Sequence, residues 1–328
     1  MQVGVASGFH RRHLQLALDQ EGTSLVDVLY EEMGERIGLL MTNQFGNYLF
    51  QKILEMSSDQ QRRQLLVMVQ SQLREASKDV HGTRCVQKLI HLCRLPDMVN
   101  RILDGLCPFV VELCADVNGN HVIKCCLKSM AAELRQRLLD EVVDHCIEIS
   151  KEMYGCSIIQ KCIEIASGES ADRLFDTIEA HALDLMRDRY ANYVIQYLIE
   201  NARPSESLRF CRCVLTHVEE LSKEKCSSNV VEKSLNRGDE ATRDSIINEI
   251  VNASDLRSML LDPYANYVIQ KALVLSNADQ RGRLKQAIEP YAKDLADSKT
   301  GKHILSKLPE LCGGGSSEPS ILISNSNK

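Results

Sequence analysis

Apolar residues in this chain recur at three- and four-residue spacing, in short bursts separated by glycine, proline and small polar clusters. Residues 241–262, ATRDSIINEIVNASDLRSMLLD, hold the helical period until Asp262-Pro263 breaks it. No stretch sustains the apolar–polar alternation of a strand, so the pattern predicts an all-α chain of short helices.

One burst comes back repeatedly. It reads FGNYLFQKIL from Phe45, HGTRCVQKLI from His81, NGNHVIKCCL from Asn118 and YGCSIIQKCI from Tyr154. It continues as YANYVIQYLI from Tyr190, CSSNVVEKSL from Cys226, YANYVIQKAL from Tyr264 and TGKHILSKLP from Thr300. The seventh residues, Gln51, Gln87, Lys124, Gln160, Gln196, Glu232, Gln270 and Ser306, are spaced by 36, 37, 36, 36, 36, 38 and 36. A step of 36 back from Gln51 lands on Gln15, in the degenerate copy HRRHLQLALD. A fixed period of this length, with two or more helices per unit, predicts an α-solenoid whose units stack on their neighbours. Signature helices are expected near 9–19, 45–54, 81–90, 118–127, 154–163, 190–199, 226–235 and 264–273, with a cap at 300–309. The extra residues of the two longer intervals are expected in loops near Arg94-Leu95-Pro96 and Asn236-Arg237-Gly238.

The signature helix has two faces. With Asn266 as origin, Tyr267 falls at about 100° and Gln270 at about 40°, while Val268, Ile269, Ala272 and Leu273 lie between about 200° and 340°. The apolar arc packs inward, so the polar arc is expected to point outward and to form a continuous stripe along the stack. Its triplets are Asn47/Tyr48/Gln51, Thr83/Arg84/Gln87, Asn120/His121/Lys124, Cys156/Ser157/Gln160, Asn192/Tyr193/Gln196, Ser228/Asn229/Glu232 and Asn266/Tyr267/Gln270. The middle member is usually flat, and flat groups spaced one per unit can interleave with unstacked bases at roughly 1–3 kcal/mol per stack. The outer two are short polar or amide groups suited to the Watson–Crick edge of a base.

Composition narrows the picture. The 328 residues are 44% hydrophobic and 26% charged, enough for a large core. No run of eighteen apolar residues exists, so no membrane-spanning helix is expected, and the N-terminus lacks the layout of a secretory signal. Thirteen cysteines contain no C-x-x-C pair, and Cys85, Cys126, Cys146 and Cys162 sit in apolar helical patterns. They read as reduced core thiols in an intracellular compartment, with no metal site. The net charge of −6 excludes a protein that relies mainly on neutralising phosphates, but not one that reads bases from a locally positive face. A lysine follows the seventh position in six copies (Lys52, Lys88, Lys161, Lys233, Lys271 and Lys307), suited either to phosphate or to a solvated flank. The nine histidines are scattered, His121 and His303 fall on the stripe, and no catalytic motif appears, so no enzyme is expected.

Over residues 8–311 the sequence resembles the PUF (Pumilio-type) RNA-binding repeat family, through NYVIQ, SNVVE, NHVI and GKHI in repeat order. The resemblance implies a right-handed, arc-shaped α-solenoid of about eight repeats plus a C-terminal cap. The first repeat, with Arg11, Arg12 and Gln15, is truncated, so a longer natural N-terminus is expected. Residues 1–311 would form the RNA-binding domain and 312–328 a flexible tail. The seven triplets become repeats two to eight, and RNA running antiparallel to the protein places its 5′ base on repeat eight.

Side-chain chemistry then assigns bases. Asparagine with glutamine presents donors and acceptors that match uracil, giving U at repeats eight, six and two. Glu232 accepts only, and guanine offers adjacent N1–H and N2–H donors, giving G at repeat seven with Ser228 assisting. Cys156 with Gln160, and Thr83 with Gln87, suit adenine. Lys124 donates only and could serve the oxygens of U or the acceptors of C, so that base is open. Ser157 cannot stack as a plane, and repeat one is unassigned. The expected site is 5′-UGUANAU. The resemblance further implies a cytoplasmic monomer without cofactor that binds 3′ untranslated regions of messenger RNA. It would repress or destabilise targets by recruiting deadenylase or translational repressor proteins. The alternatives are a peptide-binding scaffold of armadillo or HEAT type, which has no use for Glu232 beside Ser228, and a divergent nucleolar PUF-like protein of low specificity.

Overall fold

The computed structural model describes residues 16–20 and 22–310. Arg11, Arg12 and Gln15 lie outside the described residues, as do most of the expected helix at 9–19 and the tail at 312–328. The described residues are helical without strands, an α-solenoid built from a repeating set of three helices.

Repeat three shows how sequence makes the unit. Asp79 Oδ1 accepts from the amides of His81 and Gly82, both at 2.8 Å, which closes a turn after the short helix Leu73–Lys78 and starts the signature helix Gly82–Leu92. A Cβ on Gly82 would press onto the Ala76 carbonyl, so the short helix can approach only where the residue is small. A longer helix, Pro96–Leu106, follows at the back, with proline at its first position, where no amide donor is required. In other repeats this back helix starts on a side-chain cap: Ser58 with Gln61 and Asn277 with Gln280 form capping boxes.

The apolar arc predicted for the signature helix is the core. Leu49, Phe50, Ile53 and Leu54 are at most 1% exposed, and Cys85, Val86, Leu89 and Ile90 repeat the pattern one unit on. Each buried side chain of this size stabilises the fold by roughly 1.5–3 kcal/mol. Cys126, Cys146 and Cys162 are likewise buried and unpaired, and burial holds the Cys162 thiol up at about 12, so these cysteines behave as small hydrophobes.

The described residues divide into two compact units, the first ending at Glu206 and the second beginning at Ser207. In the first, the signature helices Gly46–Met56, Gly82–Leu92, Gly119–Ser129, Gly155–Ile165 and Asn192–Asn201 pack each on the next. Its back helices Asp59–Val69, Pro96–Leu106, Ala132–Asp144 and Glu169–Ala180 form a second packed row. In the second unit, Ser227–Arg237, Ala265–Leu275 and Lys299–Glu310 make the signature row, and Glu240–Val251 packs on Ala278–Ile288. Ion pairs one repeat apart cross both back rows, such as Arg63–Asp97, Arg137–Asp104 and Arg283–Asp244, each at 2.6 Å. The first two pairs are exposed, and each contributes at most about 1 kcal/mol.

The extra residue of the 37-residue interval lies in the Cys93–Leu95 loop, as expected. The two extra residues of the 38-residue interval do not lie at Asn236-Arg237-Gly238. Asn236 and Arg237 belong to the helix Ser227–Arg237, and the inserted residues fall between Glu240–Val251 and Leu256–Leu261. The Glu219 carboxylate holds that longer turn, accepting from Ser254 N at 2.8 Å, Ser254 Oγ at 2.9 Å and Asp255 N at 3.3 Å. Asp255 then caps the next helix through Ser258 N.

Candidate nucleic-acid interface

Repeats six and eight define the basic geometry. Asn192 Nδ2 donates to the Asp188 carbonyl at 2.7 Å, and its Oδ1 accepts from Gln196 Nε2 at 2.6 Å. Asn266 bonds the Asp262 carbonyl at 2.8 Å and Gln270 at 3.0 Å in the same way. Asn47 repeats it with Asn43, Gln44 and Gln51. The first member of the triplet therefore ties the start of the signature helix to the turn before it and orients the seventh residue.

These bonds grade the stripe. Asn47, Asn120, Asn192 and Asn266 are at most 3% exposed, and Thr83 and Ser228 are also buried. Gln51, Gln87, Gln196 and Gln270 are half-buried, while Tyr48, Tyr193 and Tyr267 are 49%, 54% and 58% exposed. Arg84, His121, Asn229 and His303 are exposed as well. The expectation that all three members point outward is corrected: the first is buried in six triplets and half-buried at Cys156, and in the asparagine repeats its Nδ2 is turned back onto carbonyls of the preceding turn. In the first unit, five triplets lie on successive packed signature helices; in the second, two do, with His303 on the next helix.

The other repeats depart from the basic geometry where their chemistry requires it. Thr83 Oγ1 accepts from Gln87 at 3.2 Å and donates to the Asn118 carbonyl. The Cys156 thiol, its pKa raised by burial, donates a hydrogen bond to the Met153 carbonyl, and Gln160 instead donates to the Tyr193 carbonyl at 3.2 Å. Ser157 Oγ turns back to the Tyr154 carbonyl and offers no plane. In repeat seven, Ser228 bonds the Lys225 carbonyl, and burial raises the pKa of half-buried Glu232 against the pull of Lys271 and Lys233. In repeat four, Lys124 Nζ sits 3.1 Å from Asn120 Oδ1, and burial lowers its pKa.

The lysines beside the stripe have a use that sequence reasoning missed. Lys52 pairs with Asp19 and Lys88 with Glu55 at 2.5 Å, each across a repeat junction. Lys161 pairs with Glu164 at 2.6 Å, and the hydroxyl of Tyr197, which replaces lysine in the next repeat, donates to the same carboxylate at 2.8 Å. Each of these three lysines is held by a neighbouring acid. The turn residues Asn43, Asp79, Asp116, Asp188 and Asp262 were also missed, although each stands four residues before a triplet's first member. That repeated acid or amide was the available signal.

The chain is a stack of helical repeats that presents one polar triplet per unit on packed signature helices. The Pumilio-family RNA binding repeat model matches residues 36–69, 74–107, 109–143, 145–179, 181–211, 217–251 and 258–288, each match containing one triplet. The chain belongs to the PUF family of RNA-binding repeat proteins, which sets aside the peptide scaffold and enzymatic readings. It is 36% identical over 317 residues to a Pumilio domain-containing protein of Schizosaccharomyces pombe, covering 97% of this chain and 46% of that one. It is 35% identical over 300 residues to Pumilio homolog 12 of Arabidopsis thaliana, covering 90% of this chain and 50% of the relative. The chain thus spans half or less of the length of these relatives. Among solved structures, the Puf4 RNA-binding domain bound to an HO endonuclease RNA 3′ UTR recognition sequence is similar, with a TM-score of 0.77 and 34% identity. The similarity covers 91% of this chain and 95% of that one. The RNA-binding domain of yeast Puf5p shares the fold at a TM-score of 0.80 and 22% identity, covering 94% of this chain and 95% of that one.

Proposed function

We propose that this chain binds single-stranded RNA one base per repeat, selecting 5′-UGUANAU in 3′ untranslated regions of cytoplasmic messenger RNAs. The observation that carries this reading is the division of labour within the triplets. Exposed rings of Tyr48, Tyr193 and Tyr267 stand beside half-buried amides, the arrangement needed to stack a base and meet its edge together. Repeat seven supports specificity most strongly, because a carboxylate without an amide partner replaces glutamine where guanine's paired donors would lie. Arg84, His121 and Asn229 take the stacking position in repeats three, four and seven. The chain acts as a monomer, and bound targets are repressed or degraded through deadenylase or repressor proteins recruited to other surfaces.

Selection from a random RNA pool tests the reading. Enrichment of UGUA followed by a variable base and then AU is the expected result. Recovery of RNAs without a common sequence, or with a different one, overturns it.

A further inference from the structure

Repeat four keeps the asparagine of the basic geometry but sets a lysine where glutamine stands, and that exchange restricts what it can recognise. In repeats six and eight the asparagine uses its Nδ2 on the preceding turn and its Oδ1 on the glutamine. Gln196 and Gln270 form no other hydrogen bond among the described residues, so each retains one amide hydrogen and one carbonyl oxygen for a base.

Lys124 occupies the same place with different chemistry. Asn120 Nδ2 donates to the carbonyls of Asp116 and Val117, both at 2.9 Å, and Asn120 Oδ1 faces Lys124 Nζ at 3.1 Å. Both donors of the asparagine are used, and its oxygen faces the ammonium. What remains is two ammonium N–H groups with no accompanying acceptor. The exposed ring of His121 stands on the same helix, one residue after Asn120.

A donor-only position needs neighbouring acceptors. On the Watson–Crick edge, cytosine alone has two in a row, N3 and O2. Uracil places its N3–H between its carbonyls, facing the ammonium with a donor. Adenine has the single acceptor N1, and guanine presents two adjacent donors. We infer that repeat four selects cytosine through Lys124, which narrows the preferred RNA to 5′-UGUACAU. It is the counterpart of Glu232, an acceptor-only group opposite the base with two adjacent donors. The partly buried ammonium also favours this pairing, since an acceptor pair restores hydrogen bonds lost with water.

The inference rests on the RNA reading proposed above, and its test separates the two. The full chain is titrated by fluorescence anisotropy against 5′-UGUAXAU with X as C, U, A or G, and against a scrambled RNA of the same composition. Cytosine should bind about ten-fold tighter than uracil or adenine, with guanine weakest. Lys124→Gln should erase that preference and move it toward uracil while UGUA is still required. Equal affinity for all four bases, or a preference for U or A, overturns the assignment alone, provided the scrambled RNA is rejected. A preference for guanine overturns it too, because the ammonium would then be reading O6 and N7. Binding the scrambled RNA as tightly as the UGUA series overturns the underlying RNA reading.

Discussion

Gln196 Nε2 lies 2.6 Å from Asn192 Oδ1, and the two amides of this pair sit at different depths: Asn192 is 3% exposed, Gln196 half-buried. Their roles separate accordingly. Asn192→Ala strands the Asp188 turn and should lower stability by about 1–3 kcal/mol, whereas Gln196→Ala should stay within about 0.5 kcal/mol. Thermal or chemical denaturation of both variants checks this. Equal losses would mean that the glutamine is part of the scaffold as well.

The exposed tyrosines should act without sequence preference. Tyr193→Ala or Tyr267→Ala is expected to weaken RNA binding by about 1–3 kcal/mol at unchanged base preference. A change in the preferred base, measured on RNAs varied at the facing position, would assign the ring an edge-reading role instead.

Repeat seven should be convertible. Ser228→Asn combined with Glu232→Gln recreates the pair found in repeats six and eight, so the second base should change from G to U. A competition assay between UGUA- and UUUA-containing RNAs reads the outcome directly; retained guanine preference would remove Glu232 from the recognition scheme.

The same carboxyl makes recognition pH-dependent. Burial raises the pKa of Glu232, so its proton returns at a pH above the ordinary glutamate range. Guanine discrimination should therefore decline as the pH falls into that window. Stability moves the opposite way: a carboxyl raised in the folded state contributes stability below its unfolded pKa and loses that contribution as the pH rises through the folded value. Glu232→Gln should accordingly stabilise the RNA-free protein at pH 7 and give no gain in acid. Affinity and melting curves across the acidic range, run on both proteins, would expose a carboxyl that titrates normally.

Salt dependence should be shallow. The net charge is −6, and Lys52, Lys88 and Lys161 are already paired with acids. Plots of log affinity against log salt should have a slope no steeper than about −2, the value for roughly three neutralised phosphates on a single strand. A steeper slope would mean that backbone charge dominates binding.

Much of the fold was legible because it is local. The period and the apolar arc of Leu49, Phe50, Ile53 and Leu54 lie within single signature helices, where spacing alone decides which side is buried. Asn47 and Asn266 were misplaced to the surface for the converse reason: their amides bond back to the turn before the helix, and an isolated helical wheel does not include it. The insertion at Ser254 and Asp255 was assigned to Gly238 because counting between seventh positions measures a length without locating it. The partners of Lys52 and Lys88 lie one repeat back, at a position fixed by how signature helices stack.

Lys88 is matched to Glu55, and Tyr197 to Glu164, so at these junctions the residue after the seventh position is fitted to the repeat before it. The repeats are consequently not interchangeable cassettes. Transplanting only the triplet of repeat seven into repeat three keeps Lys88 within reach of Glu55. Exchanging whole repeats would instead set the acid of one junction against a side chain suited to another. New RNA targets are reached most directly by point changes within triplets, leaving every junction as it stands.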